Sequence, residues 1–181
     1  MNRNYTAAHY LSLVGKLRGA APGIALTSDM IVGFPGETEE DFRATLRLME
    51  EVAFDGLFSF KFSPRKGTRA ASLEGAVPED VKEERLRLLQ EKQNGHTLIR
   101  NRMWIGKVRP VLVEGESKNG LGQVTGRTPE NKIVNFAGSA SWVGREVDVT
   151  IEDALAHSLT GKCLRAPRGA ETGNEATCSC R

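Results

Sequence analysis

Cysteine is nearly missing from this sequence. Only Cys163, Cys178 and Cys180 occur in 181 residues, all near the C-terminal end. Their spacing matches neither a disulfide framework nor a zinc site, which excludes a cysteine-stapled scaffold. Long apolar runs are lacking too. Met30–Val32 is typical of the longest, far short of the roughly 20 residues a membrane helix needs. The first residues carry no secretory leader pattern. These absences lead us to expect a cytoplasmic protein with no membrane contact. An excess of one charge is also absent: 25 Lys and Arg stand against 23 Asp and Glu, a net charge of +2. Acids and bases nearly balance within 1–103 and again within 104–162, so nucleic acid would have to be held by local clusters. His9, His96 and His157 are scattered, without metal-ligand spacing. No Ser–His–Asp or Cys–His pattern has local support, so no catalytic residue and no metal ligand is assigned.

What is present divides the chain into two textures. Thr6 reads as an N-cap, followed by Tyr10, Leu13, Val14 and Leu17 at helical spacing. Ile24–Val32 reads as a strand covered on both faces. Thr38 with Asp41 resembles a capping box, and Phe42, Leu46, Met49 and Val52 make the buried stripe of the helix it starts. In "GLFSFKFS", Phe58, Phe60 and Phe62 alternate with polar residues, which predicts a second strand. Strand, helix and strand in about 40 residues form a βαβ unit with parallel strands. A parallel pair with both edges open needs more neighbours than this stretch provides. A charged helix is expected from about Pro78 to about Met103, with Leu86, Leu89 and Leu98 on its apolar side. After Trp104 come five short β-like segments punctuated by Gly and Asn, which predict a small all-β, OB-like barrel. From Cys163 onward there is no periodicity, and disorder is expected.

Three stretches are candidates for chemistry. "DMIVGFPGETEEDF" places a glycine-proline turn where a strand runs into a helix, the end at which parallel α/β folds bind ligands. Gly33 and Gly36 let backbone approach a ligand, and Pro35 stiffens the turn. It also reads as a plain βα connection, and it lacks the lysine and spacing of a phosphate loop. "SPRKGT", Ser63–Thr68, follows the second strand at the same end. There Arg65 suits a carboxylate or phosphate and Thr68 offers a hydroxyl, although as an isolated pattern a solvated loop is the better reading. "GRTPENKIVNF" gathers Arg127, Asn131, Lys132 and Asn135 around Phe136 on the barrel. That composition suits single-stranded RNA, or simply a barrel surface.

Taken in order, "MNRNYT", "DMIVGFPGETEEDF", "FKFSPRKGTRAA", "VKEERLRLLQEKQN", "VLVEGESK" and "GRTPENKIVNF" resemble the radical-SAM methylthiotransferases from Met1 to about Lys162. "GRT" followed by "NK" and "VNF" favours the branch that modifies tRNA over the one that modifies a ribosomal protein. The resemblance implies an α/β radical-SAM barrel, present here only as its C-terminal part with a connector helix over 1–103. It implies a TRAM β-barrel over 104–162 and leaves 163–181 as a tail. It also implies S-adenosylmethionine and [4Fe–4S] clusters as cofactors. The product would be a methylthio group on C2 of N6-dimethylallyladenosine at position 37 of tRNA.

The implied cofactor and substrate mouth comprises Asp29, Gly33, Pro35, Gly36, Glu37, Ser63, Arg65 and Thr68. The implied tRNA contacts are Arg127, Asn131, Lys132, Asn135 and Phe136. The family's CxxxCxxC motif is absent from these 181 residues, so a fragment inactive by itself is expected. Separately, a monomer is expected. A non-catalytic RNA-binding module is the alternative, and a poorly folding structural remnant a second one.

Overall fold

The computed structural model describes residues 4–118, Gly120 and 122–167. Cys178 and Cys180 therefore lie outside the described residues. The chain separates into two compact units, Met1–Arg100 and Asn101–Arg181.

The first unit is a βαβ unit dressed with two further helices. α1 spans Ala7–Ala20, and the Thr6 hydroxyl caps it by accepting from the His9 N–H. β1, Thr27–Val32, leads through the glycine-proline turn into α2, Glu39–Val52. Thr38 and Asp41 cap α2 reciprocally, each side chain accepting from the other's backbone N–H. The three acids of its first turn sit at the positive end of the helix dipole. At its other end, the Arg18 guanidinium donates to the Val52 carbonyl at 2.5 Å, satisfying a backbone acceptor that the helix itself cannot. β2, Gly56–Lys61, then pairs parallel with β1, placing Asp29 beside Phe58 and Ile31 beside Phe60.

Side chains alternate across this two-stranded sheet. One face, carrying Met30, Val32 and Leu57, joins the core of Val14, Phe42, Met49, Val52, Phe54 and Leu89. The opposite face, carrying Asp29, Ile31, Phe58 and Phe60, is exposed. Ile24–Leu26 precede the strand instead of belonging to it, and β1 is covered on one face, not both. α3, Glu79–Arg102, crosses the unit with Arg85, Leu89 and Gln93 buried at four-residue spacing. Gln93 donates to the Phe54 carbonyl, and Arg100 pairs with the buried Asp55 at 2.8 Å.

The second unit is a closed five-stranded barrel, ordered β3-β4-β5-β7-β6. Its strands are β3, Val108–Glu116; β4, Gln123–Arg127; β5, Ile133–Ala137; β6, Glu146–Ala154; and β7, Leu159–Cys163. Every neighbouring pair is antiparallel except β5 and β7. Inward residues are mostly Val, with Phe136, Ile151 and Leu159 filling the centre. Closure needs two inward glycines. A Cβ on Gly126 would lie 2.3 Å from the Leu112 carbonyl oxygen, and one on Gly161 would lie 2.4 Å from that of Thr150. Both sites bring one strand's backbone onto the next. The barrel runs one residue beyond Lys162, because Cys163 pairs with Val149 instead of opening a disordered tail.

Candidate functional site: a cleft at the strand ends

The turn after β1 is held in a conformation that glycine makes possible. Gly33 and Gly36 have φ of 72° and 83°, the left-handed region that side chains disfavour. Lys82 of α3 passes so close that a Cβ at Gly33 would sit 2.3 Å from its Cγ. The Gly36 N–H donates to the Gly75 carbonyl at 2.7 Å, tying the turn to the 73–77 segment. Glu37 finishes the arrangement. Its Oε2 accepts the Gly33 N–H at 2.6 Å and an Arg85 Nη1 hydrogen at 2.7 Å. The two side chains are only 11% and 8% exposed, and the Arg85 guanidinium lies over the Phe42 ring.

The expected mouth residues therefore separate into three groups. Asp29, Ser63, Arg65 and Thr68 come together in an open cleft of about 680 Å³, together with Ile31, Phe34, Phe60 and Phe62. Gly33 and Pro35 instead line a smaller cavity of about 130 Å³ behind the turn. Gly36 and Glu37 line neither. Through Oε2 the Glu37 carboxylate ties the Gly33 N–H to Arg85, so it braces the turn beside the cleft. Thr68 and Arg65 form a local turn, with the Thr68 hydroxyl and N–H both donating to the Arg65 carbonyl.

Arg85 went unrecognised in the sequence. A signal for it exists: it shares the i, i+4, i+8 row with Leu89 and Gln93, and an arginine on a buried row needs a partner. Around the cleft, Lys61 is held above its usual range by its hydrogen bonds to Glu79 and then Glu83. Among the described residues no group of three or more His, Cys, Asp or Glu gathers as a metal site.

On the barrel, "GRTPENKIVNF" builds the β4–β5 connection and β5. Asn131 takes a left-handed φ of 62°, and Thr128 and Lys132 close the loop through backbone hydrogen bonds. Arg127 donates to Asn131 and to Glu114, and both Arg127 and Asn131 stay accessible at the surface. The other three expected tRNA contacts do not face solvent. Phe136 is 2% exposed in the barrel core, so its ring cannot stack on a base. Lys132 and Asn135 are buried, with the Asn135 side-chain oxygen accepting from the Ser117 hydroxyl. Alternation explains the error: Val134 and Phe136 share the inward face of β5. A concavity of about 490 Å³ lined by Lys118 and Gln123 on one side and by Gly138, Ser139 and Ala140 on the other had no sequence signature.

Residues 103–164 match the model of the TRAM domain. Curated relatives named tRNA-2-methylthio-N(6)-dimethylallyladenosine synthase are similar over most of the chain. The protein of Syntrophus aciditrophicus is 51% identical over 164 residues, 91% of this chain and 36% of the relative. The Syntrophobacter fumaroxidans protein is 52% identical over 92% of this chain and 37% of its own length. The Cronobacter sakazakii protein is 46% identical over 91% and 35% respectively. This chain belongs to the family of the tRNA-2-methylthio-N(6)-dimethylallyladenosine synthases, and it spans a little over a third of the length of the relatives it matches.

Proposed function

We propose that the chain is part of a radical-SAM tRNA methylthiotransferase, its cleft forming one wall of the cofactor and substrate pocket and its barrel holding tRNA. The observation that carries this reading is the meeting of Asp29, Ser63, Arg65 and Thr68 beside the Phe34, Phe60 and Phe62 rings, in a chain about half identical to named tRNA synthases of this type. The donor set suits S-adenosylmethionine. The Asp29 carboxylate matches its ammonium group, Arg65 matches its carboxylate, and Ser63 and Thr68 suit its hydroxyls. Bound with a [4Fe–4S] cluster, that cofactor supplies the radical chemistry needed to replace the C2 hydrogen of an adenosine.

The cluster is a different matter. No cysteine precedes Cys163, so these residues offer no thiolate set for it near the cleft. The part played by this chain is to bind and orient, and these 181 residues alone are inactive in our reading. Reconstitution with iron and sulfide followed by absorption spectroscopy tests this, and a stoichiometric [4Fe–4S] band would overturn it. We also assign it to the cytoplasm, as a monomer.

Binding of tRNA through the barrel is tested by gel shifts across a salt series. Affinity should fall linearly on a log–log plot as phosphate contacts are screened. Arg127→Ala should reduce the slope by about one. The lack of a cysteine motif in these residues also favours a second reading, a tRNA-binding module with no catalytic role. Binding that is indifferent to S-adenosylmethionine would select the module.

A further inference from the structure

The outer surface of the barrel is divided by charge. Across β4, β5 and β7, Thr125, Asn135 and Thr160 stand in one row by register. Gln123 and Ala137 lie beside that row, and Arg127 and Lys162 flank it on opposite sides. These residues point outward, because Val124, Val134, Phe136 and Leu159 take the alternate, inward positions. No outward position on these three strands is acidic. β6 is the reverse, with Glu146 and Asp148 exposed and no basic residue along its length. The same outer surface offers no ring to a base. Phe136 fills the core, Trp104 and Trp142 are half-buried against it, and the Arg109 guanidinium lies over the Trp104 ring at 4.1 Å. Among the described residues of the barrel, no Phe, Tyr or Trp is exposed.

Those two features select the form of RNA that fits. Single strands are held by stacking successive bases on exposed aromatic side chains. Paired A-form stems are held through their 2′-hydroxyls and phosphates, with no stacking required. The β4–β5–β7 face offers the second set of groups. The Thr125 and Thr160 hydroxyls are accessible in part, and each can both donate to and accept from a 2′-hydroxyl. The Gln123 amide and the Lys162 ammonium are exposed beside them. Asn135 stays covered in the middle of the row, its side-chain oxygen accepting from Ser117. We propose that this face grips the backbone of a double-helical stem of tRNA, not its unpaired bases. The assignment rests on the reading that the barrel holds tRNA, and adds to it which face does so and which form of RNA it takes. The acidic β6 repels phosphates and so sets which side of the barrel turns toward the stem.

The test is a competition gel shift with the full chain and labelled tRNA at fixed salt. The competitors are a fully paired RNA hairpin, either of its strands alone, and a DNA hairpin of the same sequence. The RNA hairpin should displace tRNA at least about tenfold better than the single strands, which find no ring to stack on, or the DNA, which lacks 2′-hydroxyls. Thr125→Val with Thr160→Val should weaken hairpin binding by about tenfold or more, each lost hydrogen bond being worth roughly fivefold. Lys162→Ala should lower the salt slope by about one, whereas Asp148→Asn on β6 should leave that slope unchanged. Single strands or DNA that compete as well as the RNA hairpin, or hairpin binding untouched by the two valines, would overturn the proposal. The wild-type competition needs no variant to fold. A chain that binds tRNA but prefers the single strands removes this inference alone, whereas a chain that binds no tRNA removes the RNA reading along with it.

Discussion

The βαβ unit and the barrel satisfy their β-strands in opposite ways. The barrel closes on itself, so each strand has two neighbours and its apolar residues meet in one core. In the βαβ unit, among the described residues, two parallel strands have helices on one face only, and Phe58 and Phe60 are 64% and 54% exposed on the other. An exposed aromatic face of that kind marks an interaction or ligand surface. The lesson is that the self-sufficient unit has its fold written into its own core. The open unit depends on polar ties such as Glu37–Arg85 and Asp55–Arg100 to hold its loops in place.

The contrast can be probed because the two units report through different signals. Trp104 and Trp142 both pack against the barrel core, while the three α-helices among the described residues precede the barrel. Tryptophan fluorescence thus follows the barrel and far-ultraviolet dichroism at 222 nm follows the helices.

The largest effect should come from Arg85→Ala, which strands the Glu37 carboxylate beside the turn. Removing one member of a buried pair costs about 3–5 kcal/mol. The helical transition should move to lower denaturant while the fluorescence transition stays put. A shared shift would show that the units melt as one. Next comes Gly161→Ala, whose Cβ would strike the Thr150 carbonyl. Overpacking of this kind costs about 1–3 kcal/mol and should move the fluorescence transition alone.

Thr38→Ala should cost about 1 kcal/mol through the lost cap, read in the helical transition. That loss should depend on pH in the acid range. The Asp41 carboxyl is held below its ordinary value of 3.8, chiefly by its hydrogen bond with the Thr38 side chain. Its contribution is therefore complete above that value and disappears as pH falls through the lowered one. The difference between wild type and Thr38→Ala should narrow as the acid is titrated, leaving the part carried by the Asp41 N–H, which the Thr38 hydroxyl accepts at any pH. The smallest effect is expected from Phe58→Ser with Phe60→Ser, within about 0.5 kcal/mol, because both rings already face solvent. A large loss would mean that the open face is covered in the folded chain.

Much of the fold was legible because its signals are local. The caps at Thr6 and Thr38, the βαβ order and the five barrel segments all follow from short-range pattern. The candidate site was legible only in part. Asp29, Ser63, Arg65 and Thr68 do meet in one cleft, since both loops leave the same end of parallel strands. Glu37 and Phe136 were misjudged for one reason: a polar or aromatic residue in a motif does not announce which way it points. Glu37 turns back to Gly33 and Arg85, and Phe136 turns into the barrel.

By itself the sequence determined where strands, helices and caps fall, because hydrophobic period and capping chemistry act within a few residues. It also carried the family resemblance through six ordered motifs. Only the tertiary structure decided which motif residues reach a ligand. That depends on α3 bringing Arg85 and Lys82 to a turn nearly 50 residues earlier, and on β5 presenting Val134 and Phe136 to the core. Such partners are fixed by packing across the chain, which no local pattern encodes.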